Sequence, residues 1–267
     1  MKVFKSFLLF FSMVFVAVLS LTLVQSVNAW TITDDATGGD CTSVGMWKAN
    51  KKTCKLQADV SEGIVIDSDN ITLLCNNHSI AGSPGDYDTT GIFVFERNGV
   101  TISDCNVHYH DSAITIIGSD DTTLKNNTVI IKAYDSSGII LYSCTNSYLK
   151  NNTVNGDVSY CEGILLYSCT NSYLNDNTVT FISSGDIGIS LVFCTDSHLK
   201  SNTANHGSYG ISLYSCTNSY LNANASDNNF YYGYSDVDGI NNTYKGNECS
   251  GNGLGGSDPT GLCSPQP

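Results

Sequence analysis

The sequence predicts an all-β protein in which short parallel strands wind into a β-helix, and three observations predict it. The first is a repeat. Gly138–Val154 (GIILYSCTNSYLKNNTV) returns almost unchanged from Gly163 and in looser form from Gly188 and Gly210, so the copies open 25, 25 and 22 residues apart. A period in the low twenties marks one supersecondary unit stacked on itself. The second is a set of apolar columns. Aligned from Gly91, the copies share Ile92, Ile114, Ile139, Ile164, Ile189 and Ile211; Val94, Ile116, Leu141, Leu166, Leu191 and Leu213; and Ile102, Leu124, Leu149, Leu174, Leu199 and Leu221. A fourth column runs Val107, Val129, Val154, Val179 and Ala204. Alternate positions vary freely, as in a strand with one buried face. The third is spacing: too few residues separate one copy's strands from the next to hold a helix. Each copy must therefore complete a turn and lay its strands in parallel on its predecessor. One copy alone buries too little apolar surface to offset the ordering of its backbone, so the copies must stack.

The elements follow in order. Residues 1–29 read as a signal peptide: Lys2 and Lys5 precede an apolar run from Phe7 to Val24, and Val27-Asn28-Ala29 supplies small residues for cleavage. If left uncleaved, that run is also long enough to anchor the chain in a bilayer, its only expected membrane contact. Residues 30–62 read as an N-terminal cap in which Cys41 and Cys54 close a short loop, outside the cell more plausibly by a disulfide than as half a metal site. Residues 63–232 hold the repeats, with Gly63 opening the first coil. Residues 233–267 read as a degenerate last coil and a second cap, where Cys249 and Cys263 bracket a Gly-rich loop and blunt an exposed strand edge.

Inside the array, Asn127, Asn152, Asn177, Asn202 and Asn224 form a polar column at a bend. Asparagines stacked at the strand spacing hydrogen-bond along the axis, which fits a structural ladder. Cys144, Cys169, Cys194 and Cys216 form another column, continued toward the N-terminus by Ser119 and Arg97. Neighbours in such a column sit ~4.8 Å apart with parallel side chains, which favours free buried thiols over disulfides. A soft-metal ladder is the competing reading. Cys75, Cys105 and Cys161 lie off that column.

These copies resemble the right-handed parallel β-helix repeats of NosD-like, carbohydrate-binding and sugar-hydrolase proteins, from Gly63 to Cys249; ITLLCNNHSIAG at Ile71–Gly82 is similar to that family's opening strand and turn. The resemblance implies a right-handed parallel β-helix solenoid of about seven to eight coils, capped at both ends. It implies no single chemistry, since such repeats occur in polysaccharide lyases and hydrolases, epimerases, surface proteins and a copper-maturation factor.

Composition narrows the partners. Twelve Lys and Arg stand against 25 Asp and Glu, a net charge of −13, with Arg97 the only arginine. Nucleic acid is not an expected partner of so acidic a chain. Two outward columns are the candidate binding surface: Tyr142, Tyr167 and Tyr214, and Tyr148, Tyr173, His198 and Tyr220, with Asn146, Asn171, Asp196 and Asn218 nearby. They read either as a platform for sugar rings or as ordinary cross-strand stacking. Asp111, Asp135, Glu162 and Asp186, each just ahead of an opening residue, read as a ridge along the axis, either a solvated acidic edge or a calcium or acid/base site. No cofactor is firmly implied, and calcium enters only through that ridge. His108, His110 and Asp111 (HYHD) are a weaker metal motif, and Asp120-Asp121 lacks the partners of a glycosidase site. Sequons stand at Asn70, Asn126, Asn151 and Asn241; those at Asn77 and Asn224 are expected to be buried in the asparagine column.

Three functions follow as expectations. The first is a secreted or cell-surface protein that binds an extracellular polysaccharide or cell-envelope glycan, or serves there as a structural or adhesive element. The second is a polysaccharide lyase, hydrolase or epimerase, whose site would have to lie in the least repetitive stretch, Pro84 to Asp135. The third is a metal-maturation accessory factor of the NosD-like kind. Near-identical columns favour the first, because an enzyme must break its repeats to build a unique site.

Overall fold

The computed structural model describes residues 29–83, 89–183 and 185–265. The expected signal peptide, except for Ala29, lies outside them. The described chain is a right-handed parallel β-helix of about eight turns. One coil shows the plan. Ser137–Tyr142 contributes to the first sheet, Tyr148–Lys150 to the second and Thr153–Gly156 to the third. The next coil repeats it in register, with Ile139 beside Ile164, Leu149 beside Leu174 and Val154 beside Val179. Among the described residues the three sheets have ten, ten and six strands. Among the described residues helix is confined to one turn at Cys41–Val44 and a 3₁₀ turn at Ala49–Lys51. None of these is long and apolar enough to cross a membrane.

The apolar columns fill the interior. Every member of the four columns is between 0% and 1% exposed. The corners need left-handed backbone, and this explains their composition. Asn126, Asn151, Asp176, Ser201 and Ala223 turn sheet 2 into sheet 3 with φ of 52–57°. Asn and Asp tolerate that region because their short side chains bond locally. Just inside each of these corners sits the ladder. Asn127, Asn152, Asn177, Asn202 and Asn224 are all fully buried. Each carbonyl oxygen accepts both the backbone and the side-chain N–H of the preceding asparagine, at 2.9–3.1 Å from Asn127 to Asn224. Asn247 extends the ladder by one rung, accepting from Asn224 at 3.0 Å.

Both ends carry more of the fold than the sequence suggested. Gly63–Ile66 is not the first strand of its sheet, because Ala29–Ile32 pairs with it in parallel. The cap is thus built onto an additional coil, with Gly45–Lys48 turned back antiparallel on Thr53–Leu56 and the Cys41–Cys54 disulfide beneath. At the other end Tyr232–Val237 and Thr243–Lys245 continue sheets 1 and 2 in register. That coil reads as degenerate because tyrosines replace the aliphatic residues. Tyr234 takes the isoleucine position and Tyr244 the leucine position. Tyr234 donates its hydroxyl to the Asn224 carbonyl at 2.7 Å, and Tyr244 donates to Asp236 at 2.9 Å. Both inward hydroxyls are therefore satisfied. The Cys249–Cys263 disulfide closes this end.

A third disulfide, Cys75–Cys105, joins two neighbouring coils. The Cys75–His78 turn is two residues longer than the corresponding turn at Asp104–Cys105, between strands that otherwise align. The extra residues break the column spacing, so parallel stacking does not hold the two sulfurs apart. Cys105 occupies the first rung of the ladder, its N–H donating to Asn127 at 3.1 Å. The same insertion takes Asn77 out of the ladder and leaves it exposed, correcting the expectation that its sequon is buried. Asn224 is buried as expected. Three disulfides fit an oxidising, extracytoplasmic compartment.

Candidate functional site

The ring-bearing strands of sheet 2 have three residues each, the middle one pointing inward and the two beside it outward. The first position reads Thr123, Tyr148, Tyr173, His198, Tyr220 and Thr243 along the axis, paired strand to strand. Tyr148 and Tyr173 stack with centroids 4.9 Å apart and planes within 5°, and Tyr173 and His198 stack at 5.0 Å and 5°. His198 and Tyr220 are tilted by 54° at 6.3 Å. Coplanar six-membered rings would clash at such separations, so the rings overlap like shingles. Each covers part of its neighbour and presents an edge, part of a face and, for tyrosine, a hydroxyl.

A second polar ladder lies on the adjoining corner between sheets 1 and 2. Asn146, Asn171, Asp196 and Asn218 hold left-handed backbone with φ of 50–56°. Asn171 donates to Asn146 at 2.6 Å and accepts the Tyr173 hydroxyl at 2.9 Å. Rings and amides thus form one strip about four coils long. Across the corner, Tyr142 and Tyr167 stack at 4.9 Å and 4°. That column is broken at Val192, which stands between Tyr167 and Tyr214. Phe193 fills the gap edge-on to both tyrosines, 5.5 and 5.7 Å away.

The four acidic residues of the expected ridge do not share one column. The register places Ser112, Ser137, Glu162, Ile187 and Tyr209 in one column. Glu162 therefore stands one residue away from the column of Asp111 and Asp186, and Asp135 lies one residue to the other side. Side chains one residue apart in a strand point to opposite faces. Asp186 is fully buried, and its carboxylate accepts the Cys161 N–H at 2.8 Å. Burial pushes it up to about 6. Among the described residues no group of three or more His, Cys, Asp or Glu is placed to hold a metal ion.

His108 and His110 also part company. His108 lines a shallow groove on sheet 3 with Ser79, Asn106, Val107, Thr128 and Ile130. His110 is 5% exposed, and neither ring nitrogen has a hydrogen-bond partner. Burial, with His108 nearby, holds it down at about 4. This has a pH consequence. The unfolded chain takes up the proton near pH 6.5 and the folded one only near 4, so His110 favours folding above 6.5 and loses that contribution as pH falls toward 4. Asp186 works in the opposite direction, its raised carboxyl favouring folding increasingly as pH drops below about 6. Comparison with His110→Leu cancels the aspartate. Wild type should lose about 3 kcal/mol relative to that variant between pH 6.5 and 4 in urea titrations. Parallel curves would show that the imidazole is not buried.

The cysteine column is interior. Cys144, Cys169, Cys194 and Cys216 are free and 0% exposed. Each Sγ lies 3.3–3.5 Å from a carbonyl oxygen of the preceding coil, on Ile116, Leu141, Leu166 and Leu191 in turn. Its N-terminal continuation is the buried Ser119, and beyond it Arg97, which reaches outward to Asp67 at 2.7 Å. The Cys144 thiol is pushed up by its hydrogen bond with Cys169 and by burial, and Cys216, at the far end, is lowered by its hydrogen bond with Cys194. Cys161, the fifth free thiol, is pushed up to about 11 by burial.

Fold and surface together define a disulfide-capped parallel β-helix repeat protein. The chain belongs to the NosD family: the family described as periplasmic copper-binding protein (NosD) matches residues 42–247. No curated protein matches it. Among solved structures it is similar to a DFA-IIIase from Arthrobacter chlorophenolicus A6, without its lid, at 14% identity and TM-score 0.44, covering 74% of this chain and 64% of that one. It is similar to an alginate lyase from Paenibacillus sp. str. FPU-7 at 9% identity and TM-score 0.42, covering 78% and 92%. A surface adhesin of Streptococcus pneumoniae, PfbA, shares 12% identity at TM-score 0.30, covering 76% and 80%. Nothing about this chain's chemistry follows from likenesses at these scores.

Among the described residues the copper in the family's description finds no matching donor set. Copper sites gather soft or imidazole donors around one point. The four column thiols are instead spread along the axis, buried, and engaged with carbonyls and one another. His110 is buried while His108 lines the sheet-3 groove, and Met46 is an exposed thioether.

Proposed function

We propose that this protein is an extracytoplasmic glycan-binding protein of the cell envelope or cell surface, and that the ring-and-amide strip of sheet 2 is its binding surface. The observation that carries this reading is the strip's periodicity. Tyr148, Tyr173, His198 and Tyr220 offer ring edges and partial faces once per coil, with a hydroxyl at each tyrosine, beside Asn146, Asn171, Asp196 and Asn218. A surface that repeats every ~4.8 Å suits a ligand that itself repeats. A linear polysaccharide lying along the axis is such a ligand, with C–H faces for rings and hydroxyls for amides. Tyr148 is 46% exposed, so the strip is open to a ligand.

The test is a glycan-array screen of residues 30–267, followed by reducing-end and unsaturated-uronate assays on the hits. Binding to linear polysaccharides with the chains left intact is the expected result. Shortened or unsaturated products would make the protein an enzyme. No binding to any linear glycan would remove this reading.

A further inference from the structure

Two residues along each sheet-2 strand from the rings runs a second outward column: Lys55, Leu74, Ser103, Lys125, Lys150, Asn175, Lys200, Asn222 and Lys245. Five of the chain's twelve basic residues stand in it, on a protein of net charge −13. Lys125, Lys150, Lys200 and Lys245 are exposed. The ion pairs of the described lysines and arginine fall elsewhere, on Lys52, Arg97 and Lys132. Lys150 and Lys200 share their strands with Tyr148 and His198, and Lys125 and Lys245 stand on the coils next to the two ends of the ring column. Over the four ring-bearing coils, Asp176 and Asp196 are the acidic residues on the flanking corners. Lysines placed to solubilise this chain would be scattered, since carboxylates already supply its charge.

We infer that the glycan bound by this strip is a polyuronate, a linear polysaccharide whose sugar rings carry carboxylates. This rests on the glycan-binding reading of the same face. The two columns are ~6.6 Å apart along each strand. A carboxylate projecting from a sugar ring seated on the tyrosines thus falls within reach of a lysine ammonium. Lysine suits this role because it is a flexible point charge and adapts to a carboxylate whose position varies with the sugar. Lysines recur at Lys125, Lys150, Lys200 and Lys245 with asparagines between, so most coils can neutralise or hydrogen-bond one acidic residue.

The test is calorimetric titration with oligogalacturonate, a neutral β-glucan oligomer and oligothymidylate, at low and high salt. Wild type is compared with Lys125→Gln/Lys150→Gln/Lys200→Gln, and a thermal melt checks that the variant is folded. Oligogalacturonate should bind wild type more tightly than the neutral oligomer, weaken in high salt, and lose on the order of tenfold in affinity in the variant. The neutral oligomer should bind both proteins alike. Equal binding of neutral and acidic oligomers, unmoved by the lysine changes, would overturn the uronate inference and leave the glycan reading standing. Oligothymidylate binding as tightly as oligogalacturonate would also overturn it, since the face would then recognise negative charge in general. Binding of neither glycan would overturn both.

Discussion

Replacing Asn177 with alanine is expected to lower the unfolding free energy by about 3–5 kcal/mol, a large share of the stability of a single domain. Asn177 stands at the centre of the buried ladder. Its Oδ1 accepts from the Asn152 backbone at 3.0 Å and side chain at 2.9 Å, and its Nδ2 donates to the Leu149 carbonyl and to Asn202, both at 2.9 Å. Alanine leaves the Asn152 N–H without a partner in a place water does not reach, and takes from the Leu149 carbonyl the side-chain bond it accepts. Unmet buried groups cost far more than the net worth of a hydrogen bond in water. Asn175→Ala, two residues away on the outer face, should change stability by less than ~0.5 kcal/mol. Denaturant titration of both variants decides it. A small effect at Asn177 would mean that the column is solvated.

The second large effect is on binding. Tyr148→Ala with Tyr173→Ala should abolish glycan binding, because it removes two of the strip's four rings and the hydroxyl held by Asn171. The cost to folding is modest. Each stacked pair contributes roughly 0.2–1 kcal/mol, and two pairs are lost, so about 0.4–2 kcal/mol is expected. Ile164→Ala, fully buried in the isoleucine column, should cost ~2–5 kcal/mol yet leave binding by the folded fraction unchanged. A double tyrosine variant that binds like wild type would reduce the rings to a stacking ornament of the sheet.

Much of this architecture was legible because a solenoid writes its contacts at a fixed sequence period. Inward apolar positions, the asparagine ladder and the free thiol column all repeat at the coil length, and pairing at that offset is what the strands do. Legibility failed where the period slips or a residue type changes. Two extra residues at Cys75–His78 hid a disulfide between coils and misplaced Asn77. Tyr234 and Tyr244 hid the last coil, because an inward tyrosine with a satisfied hydroxyl does not read as an aliphatic column. The acidic ridge failed on parity: Asp111 and Asp186 precede their coil's opening residue by two positions, Glu162 by one and Asp135 by three. The tyrosine columns were visible as columns, but their mutual overlap was not. Ring tilt depends on side-chain rotamers, which the period does not encode. The lysine column was spelled out in the same strands, yet charges on an acidic chain read as scattered until the register put them beside the rings.

The most direct measurement of the central claim is the dependence of affinity on ligand length. If one sugar residue occupies one coil of the strip, affinity for a series of linear oligosaccharides should rise with each added residue until the Tyr148–Tyr220 stretch is filled, and then level off. The lengths at which it levels off should shorten in Tyr220→Ala, which removes one end. A monosaccharide binding as tightly as the longest oligomer would mean a single pocket, and would contradict a repeating surface matched to a repeating ligand.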